Sequence, residues 1–203
     1  MIQDKKILQN WFNNAIKDDE EVYLIGHSLG GDLARFLSSR SPKVTKLILL
    51  DGGYLNLDEI MPLENELEAA KAYFDQHTFT NLEEVIANEK SQSYYWSENL
   101  EEALKNSYRY NSALEKFELD LDFEKVSYLL ELRRVIRSYQ RNLKSKNVLF
   151  IAPAYDKEPE WRKISLDKLP QYFDVELLKN CGHEMYMEHP LEIAHTVNSW
   201  INK

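Results

Sequence analysis

The stretch "LIGHSLGG", residues 24–31, places a polar serine directly after an apolar run and surrounds it with glycines. Its first two residues suit a buried strand, whereas Gly26, Gly30 and Gly31 leave room for a tight turn. The stretch therefore predicts a sharp turn from a strand into a helix, with Ser28 at its apex.

The sequence on both sides of this turn supports that interpretation. "EVYLI" (21–25) is rich in β-branched and aromatic residues, as buried strands are. After the turn, apolar residues recur at helical spacing, and Ser41 and Pro42 end the pattern. In this setting Ser28 is a candidate nucleophile, and the backbone N–H of Leu29 is a candidate first donor to an oxyanion hole.

Composition and charge restrict the kinds of protein that this sequence can encode. The chain has 203 residues, of which 43% are hydrophobic and 29% charged, enough for one sizeable core. Its net charge of −9 disfavours nucleic acid and anionic membrane as partners, because both repel an acidic surface. The single cysteine, Cys181, cannot form an internal disulfide, and the first residues lack a signal-peptide pattern. We therefore expect a cytoplasmic protein without a membrane span.

Strand and helix patterns alternate along the chain. Strands are predicted at 21–25, 44–51, 147–152 and 173–178, and helices at 2–18, at 29–40 and from Pro190 onward. Such alternation predicts an α/β fold with a parallel sheet of about four strands and helices on its faces.

The long segment between the second and third predicted strands has helical periodicity and no strand pattern. Helices are predicted at 63–76, 81–95, 97–110 and 123–145. We therefore expect two units, a core formed by 1–53 and 146–203 and a helical insertion formed by 54–145.

A serine nucleophile needs a base, and the chain has five histidines. His183 follows the fourth predicted strand, so it should emerge at the same carboxyl edge of the sheet as Ser28. His27 adjoins the serine, where successive side chains diverge, and His77 and His195 lie on predicted polar surfaces. His183 is therefore the predicted base.

Two aspartates are candidates for the carboxylate that orients this histidine and stabilises its protonated form. Asp156 follows the third predicted strand and Asp51 follows the second, so both reach the correct edge of the sheet. Asp156 is favoured because it lies on the strand that precedes the strand of His183. Asp51 is the reserve acid.

Taken in order, four segments resemble the α/β-hydrolase superfamily: "LIGHSLGG" (24–31), "LILLDGG" (47–53), "VLFIAPAYD" (148–156) and "NCGHEMYMEHP" (180–190). The resemblance covers about 20–53 and 147–202 and implies the order Ser28, Asp156, His183. It also implies that 54–145 is a cap or lid over the site. The implied activity is that of a carboxylesterase or lipase-like serine hydrolase, which acts on a small-molecule ester or thioester without a cofactor.

The chain departs from this family in what precedes the turn. Members usually carry several strands there, and one of their loops provides the second oxyanion donor, whereas here one predicted helix precedes 21–25. We therefore expect a fragment of a longer hydrolase, another element that covers the edge of the 21–25 strand, or a reduced activity. We also expect the exposed edge of the 21–25 strand either to pair with a second copy, giving a homodimer, or to make the chain prone to aggregation and weakly active.

One alternative function remains open from the sequence, and another is disfavoured. A truncated or degenerate relative could keep the scaffold as a non-catalytic binding or interaction protein. Metal-dependent hydrolysis through His183, His189 and His195 is disfavoured, because Pro190 separates the first two histidines from the helix that carries the third. No metal site is predicted.

Overall fold

A computed structural model describes residues 2–17, 21–137, 143, 147–155 and 159–203. The strands are β1 (Val22–His27), β2 (Val44–Leu50), β3 (Thr78–Phe79), β4 (Tyr108–Asn111), β5 (Lys116–Leu119), β6 (Asn147–Pro153) and β7 (Phe173–Leu178). The helices are α1 (Ile2–Ala15), α2 (Leu29–Ser38), α3 (Leu57–Ile60), α4 (Leu63–Gln76), α5 (Leu82–Gln92), α6 (Glu98–Asn106), α7 (Phe123–Arg137), α8 (Glu160–Asp167), α9 (Met185–Glu188) and α10 (Pro190–Ile201). No helix in the described ranges is long and apolar enough to cross a membrane.

The main sheet has four parallel strands in the order β1-β2-β6-β7, which confirms the predicted α/β architecture. In its register Ile25 lies opposite Ile48, and Ile48 lies opposite Leu149. The central strands β2 and β6 are largely buried. Burial on both faces explains why their sequences are nearly continuous apolar runs.

Neighbouring residues of β2 pack on opposite faces of the sheet, as the two-residue period of a strand requires. Ile48 belongs to a buried cluster with Trp200 of α10. Leu47 belongs to a different buried cluster, with Ala34 of α2. The sheet therefore lies between helices, and the carboxyl ends of its strands meet at one edge.

The insertion 54–145 is not purely helical, so that part of the prediction is wrong. β3, β4 and β5 form an antiparallel sheet in the order β3-β5-β4. The predicted helix 97–110 ends at Asn106, and β4 pairs with β5 instead. Tyr108 and Tyr110 share one face of this hairpin with Phe117 and Leu119, whereas Arg109 binds Glu118 on the other. A two-residue alternation over only four residues is too short to stand out in a helix-rich segment.

Helix α7 connects the insertion to the core. Its Arg134 guanidinium donates to Glu66 of α4 at 2.7 and 2.8 Å and to Asp58 of α3 at 2.7 Å. On its other side, Ile136 packs with Phe36 of α2. The predicted helix 123–145 is observed as Phe123–Arg137, and most of the remaining predicted length lies outside the described residues.

Candidate active site

Ser28 lies between the end of β1 and the start of α2, at the apex of the turn. Its backbone has φ 52° and ψ −125°, in a region that residues with a side chain rarely adopt. The Ser28 N–H donates to Leu50 O at 3.0 Å, and Ser28 O accepts from the Gly31 N–H at 2.9 Å. Leu29 is the first residue of α2, so the helix itself offers no partner to its N–H. The turn therefore presents a serine hydroxyl beside the N-terminus of a helix.

Three glycines allow the elements around this turn to approach closely. A Cβ on Gly26 would lie 2.4 Å from Gly30 O, and one on Gly31 would lie 2.7 Å from the carbonyl carbon of Gly52. A Cβ on Gly52 would lie 2.2 Å from Ser28 O. Gly30 differs, because nothing lies within 4 Å of the position its Cβ would take. The close packing thus depends on Gly26, Gly31 and Gly52 rather than on every glycine of the stretch.

Asp51 and His183 form a hydrogen-bonded pair at the carboxyl edge of the sheet. His183 Nδ1–H donates to Asp51 Oδ2 at 2.9 Å, which leaves Nε2 as the ring nitrogen able to accept a proton. The Asp51 side chain is 8% exposed and the His183 side chain 45% exposed. The hydrogen bond to Asp51 raises the pKa of His183 above its usual value, although burial opposes this change.

The Asp51 carboxylate has two further contacts. Tyr54 Oη–H donates to its Oδ1 at 3.3 Å, and Arg162 Nη2 lies 3.4 Å from the same oxygen. Sequence reasoning did not predict either residue. Arg162 is 3% exposed on helix α8, and a single buried arginine in a mostly polar helix leaves no signal in the sequence.

The loop that carries His183 is held by the helix after it. Gly182 N–H donates to the buried Glu188 Oε2 at 2.6 Å, and His189 Nε2–H donates to Asn180 O at 2.9 Å. His27 Nε2–H donates to His183 O at 2.8 Å, and the two rings pack with their centroids 4.6 Å apart. Burial lowers the pKa of His27. His27 therefore lies beside the candidate base and contacts its backbone.

Ser28, Asp51 and His183 line one cavity of about 740 Å³. Aromatic residues from several parts of the chain also line it, among them Tyr94 after α5 and Tyr155 after β6. Within the described part of the chain, Ser28 Oγ and His183 share no hydrogen bond. Catalytic hydrogen bonds are often loose in a free enzyme and tighten once the substrate binds. The cavity thus brings together a serine, a histidine and a carboxylate.

The structure places the other predicted residues as follows. Asp156, the favoured acid, lies outside the described residues, and the carboxylate in contact with His183 is the reserve, Asp51. His195 is exposed, as predicted. His77 is not on a polar surface: it is 9% exposed and its Nδ1–H donates to Tyr73 O at 2.6 Å. The burial of His77 was not predicted because its neighbours in the sequence are largely polar. The rings of Tyr73 and Phe79 pack against its imidazole.

The structure does not gather His183, His189 and His195 into one group of potential metal ligands. Within the described ranges, His183 lies with His27 and Glu184, and His189 lies with Cys181 and Glu188. In each group the ligand atoms lie within 4.8 Å of one another.

Comparisons with known proteins agree with this architecture. The sequence matches the family model of the alpha/beta hydrolase fold over residues 5–190. No curated protein matches the sequence significantly.

Several solved structures have a similar fold at low sequence identity. An esterase from M. tuberculosis has a TM-score of 0.66 at 16% identity, and the match covers 98% of this chain and 68% of that chain. E-2-(Acetamidomethylene)succinate hydrolase has a TM-score of 0.63 at 14% identity, with 99% and 72% covered. A peroxisomal alpha-beta-hydrolase from Saccharomyces cerevisiae has a TM-score of 0.64 at 17% identity, with 97% of this chain covered. This chain spans only 56% of the length of that last protein.

These likenesses concern the fold, whereas the family match covers most of the sequence, including the turn at Ser28 and the segment of His183. The chain belongs to the α/β-hydrolase fold family.

Proposed function

We propose that this protein is a serine hydrolase that cleaves a carboxylic ester or thioester by acyl transfer through Ser28. Membership of the family supports a hydrolase function in general terms. The observation that carries the finer proposal is the Asp51–His183 hydrogen bond, which lies in the same cavity as the serine of a strained strand-to-helix turn.

Each residue has a definite role in the proposed reaction. His183 Nε2 takes the proton of Ser28 Oγ as that oxygen attacks the substrate carbonyl carbon. The Leu29 N–H donates to the resulting oxyanion at the start of α2. The leaving alcohol or thiol departs with the proton from His183. His183 then takes a proton from a water molecule that attacks the acyl carbon, and it returns that proton to Ser28 Oγ as the acid is released.

We assign the orienting role to Asp51. Its carboxylate contacts the ring nitrogen opposite the one that must accept the proton, and it is buried and held by Tyr54 and Arg162. A negative charge at this position fixes the tautomer of the imidazole and stabilises the imidazolium. Asp156 stays a prediction as the alternative acid.

We also propose that residues 54–145 form a cap over the reaction site. Tyr94 of this segment and Tyr155 of the core line the cavity together, and their ring centroids lie 6.0 Å apart. A cap in this position would exclude water and select the acyl group.

Hydrolysis of a chromogenic short-chain ester tests the proposal. We expect turnover by the wild-type protein and only the background rate from Ser28→Ala. The matched control is Ser39→Ala, at the other end of α2, where the hydroxyl donates to Phe36 O. Turnover that survives Ser28→Ala would contradict the proposal, and a folded wild-type protein without turnover would favour the non-catalytic alternative.

A further inference from the structure

A second cavity of about 530 Å³ lies beside the reaction site, between the insertion and helix α9. It shares three lining residues with the first cavity: Tyr94, Tyr155 and His183. A substrate bonded to Ser28 could therefore extend past His183 into this space.

Three carboxylates line this second cavity, on Glu89, Glu184 and Glu188. Among its described lining residues there is no lysine or arginine. Glu188 is 5% exposed and accepts from the Gly182 N–H, and Glu89 lies 3.5 Å from His77 Nε2. Within the described ranges none of the three forms an ion pair with a lysine or arginine. Of the three, only Glu188 is buried, whereas Glu89 is half-buried and Glu184 is exposed. The described lining of the cavity therefore carries carboxylate charge that no lysine or arginine balances.

Aromatic rings form much of the remaining wall, including those of Tyr73, Trp96 and Tyr108. Rings of this kind attract cations through the negative charge on their faces. Outside the cavity, Lys90 makes a cation–π contact of this kind with Trp96, its Nζ lying 5.7 Å from the ring centroid.

The Tyr108 hydroxyl lacks a partner in this wall. The residue is only 7% exposed, and its Oη has no hydrogen-bond partner within the described structure. Burial and the charge of Glu89 raise the pKa of Tyr108. Because buried polar groups are normally hydrogen-bonded, the orphaned hydroxyl points to a polar ligand group in the cavity.

We propose that this cavity binds an alkylammonium group of the substrate, placing a cation among Glu89, Glu184 and Glu188 with its N–H directed to Tyr108 Oη. The favoured substrates are then esters or thioesters with a positively charged amine in the part that lies beyond His183. This specificity rests on the proposed hydrolase function, whereas the binding of the cation does not.

Matched thioesters test the specificity. S-(2-dimethylaminoethyl) thioacetate carries the cation and one N–H, and S-(3-methylbutyl) thioacetate has the same shape without the charge. We expect kcat/KM to be at least about tenfold higher for the charged thioester than for the neutral one, because a desolvated cation–π contact contributes enough binding energy for such a ratio. Glu89→Gln should remove most of this preference, and Glu83→Gln, an exposed change on the same helix, should leave it intact. Equal kcat/KM values, or equal effects of the two variants, would overturn the proposal.

Acetylthiocholine separates the role of Tyr108 from that of the carboxylates, because it has the charge but no N–H. We expect Tyr108→Phe to lower kcat/KM for the dimethylaminoethyl thioester several-fold and to leave that for acetylthiocholine unchanged. An equal loss for both thioesters would show that the hydroxyl does not receive the N–H.

Binding to the Ser28→Ala protein distinguishes failure of this site from failure of the hydrolase function. Calorimetry compares 2-dimethylaminoethanol with its neutral isostere, 3-methyl-1-butanol. Preferential binding of the amine, lost in Glu89→Gln, would support the cation site even if no ester were hydrolysed. Equal binding of the two alcohols, or binding of neither, would refute it whatever the hydrolysis results show.

Discussion

At the scale of single residues, the candidate site coincides with backbone strain. Four described residues other than glycine have positive φ, and three of them follow strands of the main sheet: Ser28, Asp51 and Asn180. These positions carry the serine, the carboxylate and the loop of His183. Such conformations cost about 1–3 kcal/mol each and persist only where the surrounding contacts impose them. The ladder bonds from Ser28 N–H to Leu50 O and from Asp51 N–H to Ile151 O impose two of them.

The Asp51–His183 pair predicts both a rate and a pH profile. Asp51→Asn should lower kcat by about 10⁴, the usual effect of removing an orienting carboxylate. Because the bond to Asp51 raises the pKa of His183, its loss lowers that pKa and moves the acidic limb of kcat/KM to lower pH. Rates measured across the pH range for wild type, Asp51→Asn and Asp156→Asn check this. A milder effect of Asp51→Asn than of Asp156→Asn would assign the orienting role to Asp156, which follows β6 in the sequence.

At the scale of secondary-structure elements, the approach of α2 to the loop after β2 fixes the position of the serine. Gly31 and Gly52 meet where these two elements touch, and no side chain fits between them. The glycines act through this contact rather than through flexibility of the turn.

Two alanine substitutions in α2 separate close packing from helix propensity. Gly31→Ala should lower the free energy of unfolding by about 1–3 kcal/mol, because its Cβ would overlap the Gly52 backbone. Gly30→Ala should raise it by up to about 1 kcal/mol, because alanine favours a helix and its Cβ has open space. Denaturant unfolding measures both values. Equal destabilisation by the two changes would show that the turn needs flexibility at both positions.

At the scale of the whole molecule, β1 forms an edge of the main sheet. Within the described structure no strand pairs with its outer side, and Tyr23 and Ile25 are 40% and 54% exposed. An exposed apolar edge strand is prone to pair with another chain, and a charge on the edge normally prevents this.

We predict that the protein forms a homodimer through β1. Light scattering during size-exclusion chromatography should give twice the chain mass of 24.0 kDa for the wild type and the monomer mass for Ile25→Lys. Leu191→Lys, at a residue 85% exposed on α10, should leave the dimer intact. A wild-type monomer over the whole concentration range would contradict the prediction.

The sequence predicted the features that depend on local pattern. β1 and β2 are apolar runs that glycines interrupt or follow, and β6 is an apolar run that ends at Pro153, so the places of these strands and of the turn at Ser28 follow from short stretches. The choice between Asp51 and Asp156 could not be made in this way, because both follow parallel strands and reach the same edge. Which carboxylate contacts His183 depends on distances in the folded chain, and a local sequence pattern does not contain them. The hairpin of β4 and β5 was missed because each strand pairs over only four residues. A two-residue alternation of that length cannot be distinguished from a helical pattern.

Reaction with a fluorophosphonate probe tests the central claim, that Ser28 is an activated nucleophile, most directly. The probe bonds covalently to a serine oxygen made reactive by a neighbouring base, so it requires no knowledge of the substrate. We predict a single adduct that peptide mass spectrometry locates on Ser28 and that is absent from the Ser28→Ala protein. An adduct on another residue with Ser28 unmodified, or labelling that survives Ser28→Ala, would contradict the account.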